Sequence, residues 1–109
     1  MERMGHVIRL RPEVIDEYRR IHAEVWPDVL KRIAACNITN YTLFLKEPEN
    51  LLFAYWEYTG SDFAADMARM KADLRTQEWW AITDPMQEPF ETGADGEWWV
   101  RMQPVFHTD

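Results

Sequence analysis

Cysteine occurs once, at Cys36, in a chain of 109 residues. No intramolecular disulfide is possible, so a packed core must hold the fold. Cations are in the minority: 12 Lys and Arg stand against 19 Asp and Glu, for a formal net charge of -7. Phosphate backbones are gripped by clustered Lys and Arg, so this balance excludes a nucleic-acid partner. There is no long apolar run and no positively charged leader, which argues against a membrane partner or a secreted product. With the lone thiol, these absences lead us to expect a reducing, cytoplasmic location. The chain also lacks a glycine-rich phosphate loop and a Gly-x-Ser-x-Gly elbow. Its histidines, His6, His22 and His107, are far apart, and none has a second ligand-type residue making a recognisable metal pair. We therefore expect neither a metal nor an organic cofactor.

What is abundant is aromatic. Hydrophobic residues make up 47% of the chain and charged residues 28%, the profile of a folded globular domain. At this length there is material for one core, so residues 1–109 are read as a single domain. Six tryptophans are many for so short a chain. Indoles are costly to expose, and these must fill a core, a subunit interface or a pocket wall.

His6 to Leu10 alternates, with His6, Ile8 and Leu10 on one side, and predicts a first strand ending at Pro12. From Glu13 the apolar positions Val14, Tyr18, Ile21, Val25, Val29 and Ile33 step by three and four, predicting an amphipathic helix to about Ala35. Pro27 falls inside it and predicts a kink or restart at Trp26, with Pro27 opening the second half. Tyr41 to Lys46 and Leu51 to Tyr58 are β-rich runs flanking Glu47-Pro48-Glu49-Asn50, read as an antiparallel hairpin with Tyr41, Leu43 and Leu45 on one face. Ser61 or Asp62 is placed to cap a helix carrying Phe63, Met67, Met70 and Leu74, and Thr76 to cap a further turn through Trp79 and Trp80. Pro85 to Gly96 reads as loop, and Trp98 to His107 as a last strand, Pro104 marking an edge or bulge.

Strand, helix, strand, strand, helices, strand is the order of a ferredoxin-like α+β fold, an antiparallel sheet with helices on one face. The other face would lie bare. Pairing two such sheets across a twofold axis would bury it, as in the dimeric α/β-barrel arrangement, so a homodimer is expected.

Candidate chemistry centres on Tyr18, His22 and Trp26-Pro27. At helical spacing the three rings share a face. A phenol, an imidazole that titrates near neutrality and a flat indole suit a face that grips a small polar molecule and moves its protons. Taken singly, each is better explained as a structural histidine or a core aromatic. Their conjunction favours a pocket. Trp79 and Trp80 diverge by about 100 degrees on a helix, so one ring is expected to face a pocket or partner. Trp98 and Trp99 are read as core on one side of a strand and interface on the other. Acidic pairs such as Asp16-Glu17 hint at two-carboxylate glycoside chemistry, but a solvated helix face explains them better.

The run Glu17-Tyr18-Arg19-Arg20-Ile21-His22-Ala23-Glu24-Val25-Trp26-Pro27-Asp28-Val29-Leu30, with Asn40-Tyr41, Asn50-Leu51-Leu52-Phe53, Trp79-Trp80 and Val105-Phe106-His107, resembles the L-rhamnose mutarotases over nearly the whole chain. The resemblance implies a ferredoxin-like homodimer that interconverts the α and β anomers of a 6-deoxy-L-hexose without a cofactor. It places the acid/base histidine at His22, substrate-contacting tyrosines at Tyr18 and Tyr41, and paired substrate-contacting tryptophans at Trp79 and Trp80. The chain departs from the family's Asn-Pro-Asp-Asn-Ser-Pro-like stretch at Thr83-Asp84-Pro85-Met86-Gln87-Glu88-Pro89. That difference leaves L-fucose beside L-rhamnose as substrate, with Gln87 and Glu88 as candidate hydroxyl partners. The alternative is a non-catalytic dimeric binding module or a small cofactor-free monooxygenase on the same fold. An oxygenase pocket would be apolar throughout, and Tyr18, His22 and Tyr41 are too polar for that.

Overall fold

The computed structural model describes residues 1–92 and 97–109. The Gly93 and Gly96 of the expected loop lie outside them. The first strand, β1 (Glu2–Leu10), starts four residues earlier than the alternation alone suggested, because Glu2 to Gly5 pair with Tyr58 to Tyr55 of β3 (Leu51–Tyr58). Met4, Ile8 and Leu10 are buried on one side of β1, with His6 between them on the same side. The strands β2 (Ile38–Lys46), β3, β1 and β4 (Gln87–Glu88) lie side by side in that order, and β5 (Val100–Met102) shares the outer edge of β1 with β4.

Two expectations about strands need correction. Gln87 and Glu88, expected in a loop, pair with Leu10 and Arg9. The last strand covers Val100–Met102 instead of 98–107. Extending its register would set Pro104 opposite Arg3, and proline has no N–H to give the ladder.

The long helix is two. Pro12–Val14 forms a single 3-10 turn, α1 runs Ile15–His22, and α2 restarts at Pro27–Ala35 with the proline as its first residue. Trp26 between them is extended, φ -57° and ψ 131°, because the ring of a following proline disfavours the helical region. The second helical region also divides, into α3 (Phe63–Ala72) and α4 (Leu74–Thr83). Asp62 caps α3 by accepting from Ala65 N at 3.1 Å, as expected. The cap of α4 is Asp73, not Thr76. Its carboxylate accepts from Thr76 N at 3.0 Å and from Thr76 Oγ1 at 2.8 Å. The break turns Leu74 out to 73% exposure, so it leaves the apolar face assigned to it.

A bulge in β2 decides which way Tyr41 points. Thr39 pairs with Glu57 and Thr42 with Tyr55, so β2 has one residue more than β3 over that stretch. Asn40 takes the left-handed conformation, φ 51°, which asparagine tolerates better than most residues. The extra residue shifts the parity of the strand, and Tyr41, Leu43 and Leu45 join Ile38 on the helix side of the sheet.

The helices pack on that side over two clusters. One holds Met4, Cys36, Ile38, Ala54, Trp56, Tyr58 and Met70; the other holds Ile8, Leu10, Ile15, Tyr18 and Leu52. His6 separates Met4 from Ile8 along β1, and the clusters part at its level. Behind the first cluster, Asp66 accepts hydrogen bonds from Tyr58, from Asn37 at 2.9 Å and from Arg69 at 2.6 Å. The Tyr58 bond first, then the other two, pull its carboxyl down to about 2 from an ordinary 3.8. A depressed carboxylate contributes stability above its unfolded pKa and loses it as pH falls from 3.8 through the folded value. A Cβ on Gly60 would collide with the Tyr58 hydroxyl and Asp66. We expect Gly60→Ala to destabilise the fold by about 1–3 kcal/mol through overpacking. Urea unfolding should show a lower midpoint at an unchanged slope, and an unaltered midpoint would contradict this packing.

Candidate active site

Where the two clusters part there is a cavity of about 390 Å³. His6 reaches it from β1, Tyr18 and His22 from α1, Tyr41 and Leu43 from β2, Trp56 from β3, and Trp79 and Trp80 from α4. Thr83, Asp84 and Gln87 line its far end with Trp98 and Trp99. The walls are mostly aromatic and the polar atoms few, the make-up of a small-ligand site.

His22 is built into its tautomer. Its Nδ1 lies 2.8 Å from the carbonyl oxygen of Tyr18, one turn back. A carbonyl only accepts, so Nδ1 carries the proton and Nε2 is left as an acceptor. The ring stacks on the Tyr18 ring at 4.1 Å between centroids and meets the Trp79 ring edge-on at 5.3 Å. Burial pushes its pKa below 6.5, and the carbonyl hydrogen bond opposes this only in part. The folded protein therefore holds the imidazole neutral. The neutral form contributes stability that falls as pH drops through 6.5, where the unfolded chain takes up a proton and the folded chain does not yet.

Tyr18 is buried, and burial raises its pKa, with the carboxyl of Asp84 adding to the effect and a hydrogen bond from Gln87 opposing it. The residue Tyr41 is 45% exposed. Its hydroxyl is nonetheless desolvated, which with the nearby Tyr18 pushes its pKa up to about 12. Trp79 and Trp80 were expected to diverge, with one ring at a pocket. Both line the cavity: Trp79 is buried against His22 and Trp26, while Trp80 leans on the first core cluster. The acid/base and substrate-contacting positions that the resemblance implied, Tyr18, His22, Tyr41, Trp79 and Trp80, thus meet in one cavity.

Trp26 does not join them. The helix ends at His22, and the indole turns instead onto Trp79 at 5.1 Å, covered by the Arg75 guanidinium at 3.8 Å. Trp98 and Trp99 precede β5 and both line the cavity; Trp99 also packs on both core clusters, as the core half of that reading expected, while Trp98 is partly exposed. Gln87 lines the cavity and Glu88 does not. Gln87 donates to the Tyr18 hydroxyl and accepts from Trp98, and Glu88 pairs with Arg9 at 3.3 Å and Arg11 at 3.2 Å.

Two groups were missed, His6 and Asp84. His6 stacks flat on Trp56 at 5.5 Å, and its Nδ1 is buried with no hydrogen-bond partner among the described residues. Burial, then the Arg101 charge, lower its pKa. A polar residue alternating with Ile8 and Leu10 on a buried strand face was the available signal. Asp84, in the turn after α4, has its pKa raised by desolvation. Nothing in the local sequence distinguished it from other surface carboxylates.

Residues 3–108 match the family model for L-rhamnose mutarotase. The chain belongs to the L-rhamnose mutarotase family. Among its relatives in the family, the L-rhamnose mutarotase of Burkholderia ambifaria is 33% identical over 110 residues and that of Oceanobacillus iheyensis 28% over 109, each alignment covering both chains completely. A solved L-rhamnose mutarotase structure from Formosa agariphila superposes with a TM-score of 0.80 over the full length of both chains at 17% identity. A protein of Agrobacterium tumefaciens superposes at 0.67, covering 96% of this chain and 94% of its own, at 19% identity. These likenesses establish the ferredoxin-like α+β fold, and membership makes the chain a carbohydrate isomerase of the mutarotase type.

The His22 geometry has a direct spectroscopic consequence. Nitrogen-15 correlation spectra through a pH titration should show Nδ1 protonated, with a midpoint below 6.5. A midpoint above 6.5, or an Nε2-protonated ring, would contradict the hydrogen bond to Tyr18.

Proposed function

We propose that this chain, acting as a single domain in a cytoplasmic homodimer, is a mutarotase for a 6-deoxy-L-hexose, with L-rhamnose as its substrate and His22 as its acid/base group. Family membership supports the reaction class and the sugar named for its relatives. The observation that carries the chemistry is the neutral imidazole of His22, with Nδ1 tied to the backbone and Nε2 left for a ligand in a cavity of about 390 Å³.

Mutarotation needs little else. The hemiacetal opens when a proton leaves the anomeric hydroxyl and one reaches the ring oxygen; rotation about C1–C2 and closure give the other anomer. An imidazole neutral at working pH accepts the first proton and returns it on closure. The Trp79 and Trp80 rings offer flat apolar walls to the C–H face and the methyl group, and the Tyr18 and Tyr41 hydroxyls offer hydrogen bonds to the polar edge. A wholly apolar ligand would leave these groups unpaired, which weighs against an oxygenase.

L-Fucose rested on Gln87 and Glu88 as hydroxyl partners. Glu88 pairs with Arg9 and Arg11 and does not line the cavity, which removes half of that ground; Gln87 lines it with one N–H and one lone pair beyond its bonds to Tyr18 and Trp98. Saturation-transfer NMR on free sugars tests the assignment. L-Rhamnose should exchange at least about tenfold faster than L-fucose, since a misplaced hydroxyl leaves buried groups unpaired. His22→Ala should lower enzyme-dependent exchange by about 10²–10⁴-fold with the fold retained. Wild-type rates in that variant would remove His22 from the chemistry, and equal rates for both sugars would remove the proposed specificity.

The dimer is supported by the face of the sheet away from the helices. Val100, Val7, Phe53 and Phe44 are cross-strand partners in a row from β5 to β2, and Phe44 is 57% exposed. An apolar row of this kind on an uncovered sheet face suits burial against a second copy. Sedimentation should give a dimer at micromolar concentration and a monomer for Phe44→Glu; a wild-type monomer would overturn the assignment.

A further inference from the structure

We propose that Gln87, held by Trp98, is a positioning residue that turns the hydroxyl proton of Tyr18 into the cavity, making Tyr18 the donor that complements His22. This rests on the acid/base reading of His22 given above and goes beyond it, because that reading leaves open what protonates the ring oxygen.

The direction of every bond in the chain follows from one group that can only donate. The indole Nε1–H of Trp98 lies 2.7 Å from Oε1 of Gln87. An indole N–H has no acceptor capacity, so the end of the amide facing it must be the carbonyl. The amide cannot turn over without setting N–H against N–H. Nε2 therefore faces Tyr18, and it donates to the phenol oxygen at 3.2 Å. That oxygen is thus an acceptor on its Gln87 side, and its own proton must point elsewhere. Among the described residues the Tyr18 hydroxyl has no protein acceptor, and the cavity is the space left to it. Gln87 is 4% exposed, so losing either bond would strand a polar atom of its buried amide.

The result is a matched pair. His22 is held as an acceptor by the Tyr18 carbonyl, and Tyr18 is held as a donor by Gln87, with the two rings stacked at 4.1 Å. In ring opening the O1–H proton passes to His22 Nε2 and its electron pair forms C1=O1. The C1–O5 bond breaks with its pair on O5, which takes the Tyr18 proton. After rotation about C1–C2, O5–H returns its proton to the Tyr18 oxygen and attacks C1, and His22 returns a proton to O1. No proton is gained or lost. The phenolate and imidazolium formed in passing lie against each other, which favours both.

Gln87→Glu tests the direction of the bond at nearly constant shape. An ionised carboxylate at position 87 can still accept from Trp98, but it can no longer donate to Tyr18 and instead draws the Tyr18 proton to itself. We expect kcat to fall by about 100-fold with KM changed far less, the size of one misdirected acid/base group. Tyr18→Phe should fall similarly, and Gln87→Glu added to Tyr18→Phe should cost nothing further. Protonating the introduced carboxylate restores the donor, so exchange by Gln87→Glu should rise as pH is lowered from 8 until the imidazole titrates, where wild type shows no rise. The other titratable groups lining the cavity are His6, His22, Tyr41 and Asp84, and they are common to both proteins. Should Gln87→Glu fail to fold, Trp98→Phe frees the amide to turn and should lower kcat, again with no further loss on Tyr18→Phe. Wild-type kcat in Gln87→Glu, a pH profile shaped like wild type, or a Trp98→Phe effect confined to KM would overturn the proposal. If wild type is active and His22→Ala is not, those outcomes count against Gln87 alone; a wild-type protein inactive on every sugar defeats the mutarotase reading itself.

Discussion

The arrangement of the site depends on the constraint that Pro27 places on Trp26. Proline has no N–H to continue the α1 ladder, and its ring denies Trp26 the helical conformation. Helix α1 therefore stops at His22, and the backbone turns through an extended Trp26 before α2 begins. Had the helix run on, the Trp26 indole would have stood one turn above the imidazole on the same face. Turned away, it props the back of Trp79 and supports the wall from outside. Arg75, stacked over the Trp26 ring, adds to that support.

With the last turn free, His22 sits over a gap that the core leaves unfilled. The two clusters meet around Leu43 and Trp99 but part at His6. Large flat rings fill the rim of this gap and cannot collapse into it, and the polar atoms they enclose lose water. The shifts share that one cause: burial lowers His22 and His6 and raises Tyr18, Tyr41 and Asp84. In each case the neutral form is favoured. A site for a neutral sugar needs no standing charge, and this one is biased against carrying it.

The site was legible in part. The Tyr18–His22 pair could be read because both lie on one helix, where a four-residue spacing fixes proximity. Tyr41, Trp79 and Trp80 came from the family resemblance, and all three reach the cavity. The direction of Tyr41 was not open to local reading, since it depends on a one-residue bulge that changes the parity of β2. Asp84 escaped notice because desolvation, which alone sets it apart, belongs to the folded surroundings. Gln87 and Glu88 were drawn from the divergent segment, but their protein partners could not be read there: β4 pairs with the end of β1 and carries them to Tyr18, Trp98, Arg9 and Arg11.

The order of strands and helices apart from the short β4, the restart at Pro27, the hairpin and a cap at Ser61 or Asp62 were legible in the sequence alone, because each rests on backbone preference or on periodicity within a few residues. The family, too, was carried by local runs of residues. Only the tertiary structure decided that Trp98 and Trp99 share a cavity and that Gln87 lies between Tyr18 and Trp98. Those outcomes hang on contacts between residues 11 to 69 positions apart, and on which groups lose water when distant elements close over them. Neither quantity exists in an extended chain, so no local reading could supply it.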